Sequence, residues 1–153
     1  MNKIRLSLYS IFTIIALIIL IDFIAPGSVI TSDIVRVKKE RQQYYNAGGN
    51  QHYSYQIITP EHHFSVTKDF AQEIKNSQQI TYTVSPIFNE VNRYGLTLSK
   101  NKTMYSLRVI SGFIIPFFAL ITILLAYKLK YKIDILVFVI KALLIGNLVF
   151  LLI

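Results

Sequence analysis

A chain of 153 residues with 53% hydrophobic and only 16% charged residues is more apolar than a soluble domain, in which roughly a quarter of residues are charged. It is too short to hide that excess in one large soluble core, and with no cysteine it cannot be a disulfide scaffold or a thiolate zinc site. The formal charge of +8 would fit nucleic acid, but there is no recognition helix or basic-aromatic RNA motif, and membrane topology with anionic headgroups accounts for the basic residues.

Lys3 and Arg5 precede the first apolar run, residues 6–25. At about 1.5 Å per residue such a run crosses a hydrocarbon core of about 30 Å. It exceeds the apolar stretch of a signal peptide, and its exit, Phe-Ile-Ala-Pro-Gly, has no small-x-small cleavage pattern, so it reads as an uncleaved signal anchor. Residues 27–105 are polar enough for an independent module. Within it, residues 34–45 begin with alternation and read as a strand, with a helix as the alternative. Residues 46–50 (NAGGN) are a strong turn signal, and residues 52–59 read as the second strand of a hairpin. Residues 64–66 form a short strand, 68–76 a helix capped by Thr67, and 79–85 a strand alternating Ile80, Tyr82 and Val84 against threonines. A last strand is expected at residues 96–99.

Two more apolar runs follow, residues 107–126 and 133–153, separated by Lys128, Lys130 and Lys132. Basic flanks face the cytoplasm. The expected architecture is therefore an α+β membrane protein of the bacterial inner membrane, with its N-terminus cytoplasmic and its C-terminus outside. Its parts are a tail and first span (1–26), a mainly antiparallel extracytoplasmic β module (27–105), a second span (106–127), a cytoplasmic loop (128–132) and a third span (133–153). Tyr9, Tyr105, Tyr127 and Tyr131 fall where interfacial rings belong.

Four ionisable residues lie within or at the edges of the spans, and such residues are the functional candidates in a membrane protein. Asp22, about 25 Å above Arg5, and Arg108, about 28 Å above Tyr127, fall at one level, where a pair would pin the first span to the second. The competing reading has Arg108 snorkelling to headgroups and Asp22 in the wet interface. Lys141, about 13 Å above Lys132, would snorkel toward the cytoplasm, helped by Asp134 two turns earlier; pairing with another subunit or an ion pathway are the alternatives. Gly112, Gly146, Pro116 and Asn147 add close-packing positions, a kink and a polar spot.

The histidines are His52, His62 and His63. Strand pairing could bring His52 toward the Glu61-His62-His63 turn as a weak metal site, but adjacent strand residues point to opposite faces, so solvated turn histidines are the plainer reading. No nucleophile elbow, HExxH or phosphate loop is present, and no enzyme or cofactor is expected. The expected function is a non-enzymatic accessory or scaffolding subunit of an envelope complex. Its partners would be the lipid bilayer and other membrane subunits or copies of itself. An oligomeric ion or proton pathway through Lys141 and an immunity-type protein are the alternatives.

Overall fold

The computed structural model describes residues 3–43, 51–74, 79–97, 102–129 and 133–153. The chain forms two compact units: a β unit, Ser28–Val84 with Val91–Tyr105, and a helical unit, Met1–Gly27, Ser85–Glu90 and Ser106–Ile153. The segment Ser85–Glu90, inside the expected module, thus packs with the helices.

The β unit holds strands β1 (Ser28–Asp33), β2 (Arg36–Gln43), β3 (Gln51–Ile58), β4 (His63–Val66), β5 (Gln79–Val84), β6 (Val91–Leu96) and β7 (Thr103–Met104), with helix α2 (Lys68–Glu73) between β4 and β5. Among the described residues all pairings are antiparallel, in two sheets of order β1-β5-β6-β7 and β2-β3-β4. The alternation of β5 works as its period of 2 requires: Ile80, Tyr82 and Val84 are buried, while Thr81 and Thr83 face the other side. Those three join Ile57, Phe64, Phe70, Val91 and Tyr94 in one core. Phe64 is its hub, its ring centroid 5.5 Å from those of both Tyr82 and Tyr94 and 6.4 Å from Tyr105. Tyr105 packs, partly buried, against this core. Thr67 caps α2 by accepting from the Phe70 amide, and Phe70 lies edge-on to Tyr94 at 4.8 Å.

Burial pushes the Tyr94 hydroxyl above the ordinary tyrosine range, against the opposing effect of hydrogen bonds with Thr67. The unfolded chain therefore releases this proton first as pH rises. The resulting stabilisation is fully present below about pH 10 and is lost as pH climbs through the folded value. Alkaline titration followed by tyrosinate absorbance is expected to show a late-ionising component that is missing in Tyr94→Phe.

Several strand boundaries differ from expectation. β1 had not been expected; its partner, β5, lies far along the chain, so no hairpin signal marks it. The strand expected at 96–99 falls partly on residues 98–99, outside the described residues; β6 ends at Leu96, and in it Asn92 is the extra residue of a bulge, since Val84 pairs with Val91 and Thr83 with Arg93. Asn92 uses its carbonyl to accept from the Tyr105 amide at 3.0 Å. The helix expected over 68–76 is confined to Lys68–Glu73. The β2-β3 pairing is the expected hairpin ladder, though the turn at 46–50 lies outside the described residues.

The helical unit consists of α1 (Lys3–Ile24), α3 (Ser106–Leu129) and α4 (Asp134–Leu152), all long and apolar enough to cross a membrane. Their outward faces are themselves apolar: Ile14, Leu124, Ile135 and Phe138 are each more than half exposed. Where the helices meet, Ala16, Ile19, Ala119, Leu144 and Leu151 are buried together, and the alanines let backbones approach. A second cluster, Tyr9, Ile123, Ala126 and Val137, packs nearer the start of α1.

Candidate functional site

Three polar layers interrupt this apolar packing. The first joins the end of α1 to the start of α3. Asp22 is completely buried and Arg108 is 1% exposed, and one guanidinium nitrogen donates to the Asp22 carboxylate. The other carboxylate oxygen accepts from the amides of Ile87, at 2.7 Å, and Phe88, at 3.4 Å. Pro86 starts the turn that presents those amides, and Asn89 closes it at φ 58°, a left-handed conformation that asparagine tolerates well. Ser85 and Glu90 bond across its base, the Ser85 amide to the Glu90 carbonyl and the Glu90 amide to the Ser85 hydroxyl. Asp22 is therefore a receptor for three donors from two separate segments. Charged hydrogen bonds of this kind are roughly twice as strong as neutral ones.

The Phe23 ring flanks the pair, its centroid 5.9 Å from the Arg108 guanidinium carbon. It fits there because residue 112 is glycine: a Cβ on Gly112 would come within 2.7 Å of the Phe23 ring. Gly112→Leu is expected to displace Phe23 and lower the melting temperature of the detergent-solubilised chain. Gly146→Leu, where a Cβ meets nothing within 4 Å, is expected to leave it unchanged.

The second layer follows from Pro116. Residues Ile110–Ile114 form a π turn, in which the Ile115 amide reaches back to the Ile110 carbonyl. The Ser111 carbonyl would next take residue 116, but proline has no N–H to give. Asn147 of α4 supplies the missing donor, its side-chain nitrogen 2.8 Å from the Ser111 carbonyl. The proline at residue 116 and the polar spot expected at Asn147 thus meet in one interaction.

The third layer lies at the other end of the bundle. Arg5 pairs with Asp134 and donates from Nε to the Tyr9 hydroxyl at 2.7 Å. The Lys141 ammonium lies 4.6 Å from the centre of the Tyr9 ring and 5.3 Å from that of Phe12, within cation-π range. Asp134 also belongs to the first turn of α4, where a negative charge suits the helix dipole.

The structure brings Asp22 and Arg108 together, and it pairs Asp134 with Arg5. Seven residues of helix separate Asp134 from Lys141 by about 10 Å, whereas Arg5 reaches Asp134 directly from α1. Tyr9, expected as an interfacial ring, is only 1% exposed and joins both cations. Nothing local in the sequence marks it as more than an interfacial tyrosine. Arg5 carried only a topological signal, and its role depends on a partner far along the chain.

The histidines do not converge. His52 is paired with Gln42, whereas His63 is opposite Ile58, so their backbones lie about 20 Å apart along β3. The turn between β3 and β4 is too tight to bring them closer, with the Thr59 hydroxyl bonded to both the carbonyl and the amide of His62. The His62 Nδ1 is 3.3 Å from the Tyr82 hydroxyl, and His63 is exposed. No group of three or more potential metal ligands occurs among the described residues. Comparison with protein-family models, curated proteins and solved structures finds no match.

Proposed function

We propose that the chain is a membrane-anchored, non-enzymatic accessory or scaffolding subunit of a bacterial envelope complex, with the β unit as its interaction surface. In this reading the helices cross the inner membrane, with the N-terminus cytoplasmic and the β unit and C-terminus outside. The observation that carries it is the engagement of the helix charges with groups of the same helical unit: Asp22 with Arg108 and two amides, Asp134 with Arg5, and Lys141 with two rings. Ionisable groups arranged in this way hold an anchor together. Replacement of Lys141 by Leu is therefore expected to leave ion flux across reconstituted liposomes unchanged.

The β unit supplies a surface suited to a partner. β4 pairs with β3 only over Tyr55–Ile58, so β2 and β3 run on beyond it as a two-stranded ribbon. Lys39 lies 4.1 Å from the centre of the Tyr53 ring and 5.9 Å from that of Tyr55, and Tyr53 is 46% exposed. Exposed tyrosine beside a cation is common at interface centres. The tagged full chain, purified in mild detergent, is expected to retain a stoichiometric protein partner that a Lys39→Glu/Tyr53→Ala double variant loses. A strictly monomeric particle overturns the proposal.

A further inference from the structure

α1 and α3 run antiparallel, since Asp22 near the end of α1 meets Arg108 near the start of α3, and Tyr9 meets Tyr127 at 5.5 Å. Between them is a groove of about 500 Å³, walled by Thr13, Ile14 and Leu17 on one side and Leu120, Leu124 and Tyr127 on the other. Its only hydroxyls on α1, those of Ser10 and Thr13, are bonded back to the carbonyls of Leu6 and Tyr9 at 3.1 and 2.8 Å, so they offer an occupant little. Its walls are branched aliphatic side chains rather than the glycine and alanine that admit a second helix backbone. A slim hydrocarbon chain fits such a groove better than a helix does.

Both walls lead to a cation at the same end. On α1 the row that includes Ser10 and Ile14 is continued by Lys3, seven residues before Ser10. On α3 the row Leu120 and Leu124 is continued by Lys128, four residues on. Both lysines are exposed, and neither is in an ion pair among the described residues. Tyr127, which lines the groove, immediately precedes Lys128 on α3.

We propose that the groove binds one anionic membrane phospholipid, its acyl chain along Ile14, Leu17, Leu120 and Leu124 and its phosphate between Lys3 and Lys128. The proposal rests on the helices crossing a membrane, and it adds a specific lipid to the partners of the chain. The apolar walls set where the lipid lies, and the two lysines set which headgroup it carries.

Native mass spectrometry of the full chain in a neutral detergent tests it, with phosphatidylglycerol, phosphatidylcholine of the same chains, or glycerol phosphate added. Phosphatidylglycerol is expected to bind roughly 30-fold tighter than phosphatidylcholine, the equivalent of about 1 kcal/mol per lysine. Glycerol phosphate alone is expected not to bind. Lys128→Gln should remove much of the preference, and Lys3→Gln/Lys128→Gln nearly all of it. Leu124→Trp, which fills the groove and leaves the basic flanks intact, should weaken both lipids. Equal binding of the two lipids by the unaltered chain overturns the proposal, as does a preference unchanged by the lysine variants. Undiminished binding by Leu124→Trp, or binding of glycerol phosphate, overturns the groove in favour of a headgroup-only or free-phosphate site. Release of the chain from membranes by alkaline carbonate would instead overturn the membrane reading itself, a result separable from all of these.

Discussion

Asp22→Ala is expected to destabilise the helical unit by about 3–5 kcal/mol, because it removes the carboxylate from a guanidinium that is 1% exposed. Three hydrogen bonds end at that carboxylate, so the loss extends to the Ile87 and Phe88 amides as well as to Arg108. Asp22→Asn separates the contributions. Its side-chain oxygen can still accept from Ile87, so it should lose less than Asp22→Ala, the difference reporting the turn and the remainder reporting the charge. Asp22→Leu combined with Arg108→Met should recover much of the stability, since a buried pair replaced by apolar residues of similar size often costs little. Thermal unfolding in mild detergent reads all three variants. Single variants that unfold like the unaltered chain would show that the pair does not hold α1 to α3.

Phe64→Ala is expected to cost the β unit about 3–5 kcal/mol. Its ring touches Tyr82, Tyr94 and Tyr105, so its removal opens a void shared by both sheets of the unit. A small domain has a net stability of only about 5–15 kcal/mol, and a core of eight buried residues stands near the lower end. Limited proteolysis of the solubilised full chain should therefore cut within the β unit of this variant while the helices stay protected. Resistance equal to that of the unaltered chain would mean that the core relaxes around the loss.

What could be read from the sequence depended on how far apart the interacting residues lie. The three long helices were legible because twenty consecutive apolar residues have few other uses, and β5 because its alternation is local. The Asp22-Arg108 level could be found by counting helical rise from the basic flanks. β1 was not legible, since Ser28–Asp33 owes its conformation to β5, about fifty residues away. β6 was not legible before Leu96, because the bulge at Asn92 breaks the period that identifies a strand. The cluster at the start of α1 was legible only in part: a spacing of seven places Asp134 on the face of Lys141, but nothing local announces that Arg5 of another helix pairs with Asp134. The Asn147-Ser111 bond was legible only in halves: the proline and the asparagine each stood out, and their meeting depended on helix packing.

The Asp22-Arg108 contact also bears on how the chain is made. Its two halves are separated by 86 positions, with the whole β unit between them. At synthesis rates of about 5–20 residues per second, α1 waits about 4–17 s before its arginine is even polymerised. In the proposed membrane setting, Asp22 must meanwhile be tolerated by the insertion machinery, by water at the interface or by a chaperone. The second helix, which carries a charge of its own, then enters where a counter-charge already waits. Correct insertion of one segment thus becomes a condition for insertion of the next, and a nascent chain with a misplaced first helix would present an isolated carboxylate to membrane quality control.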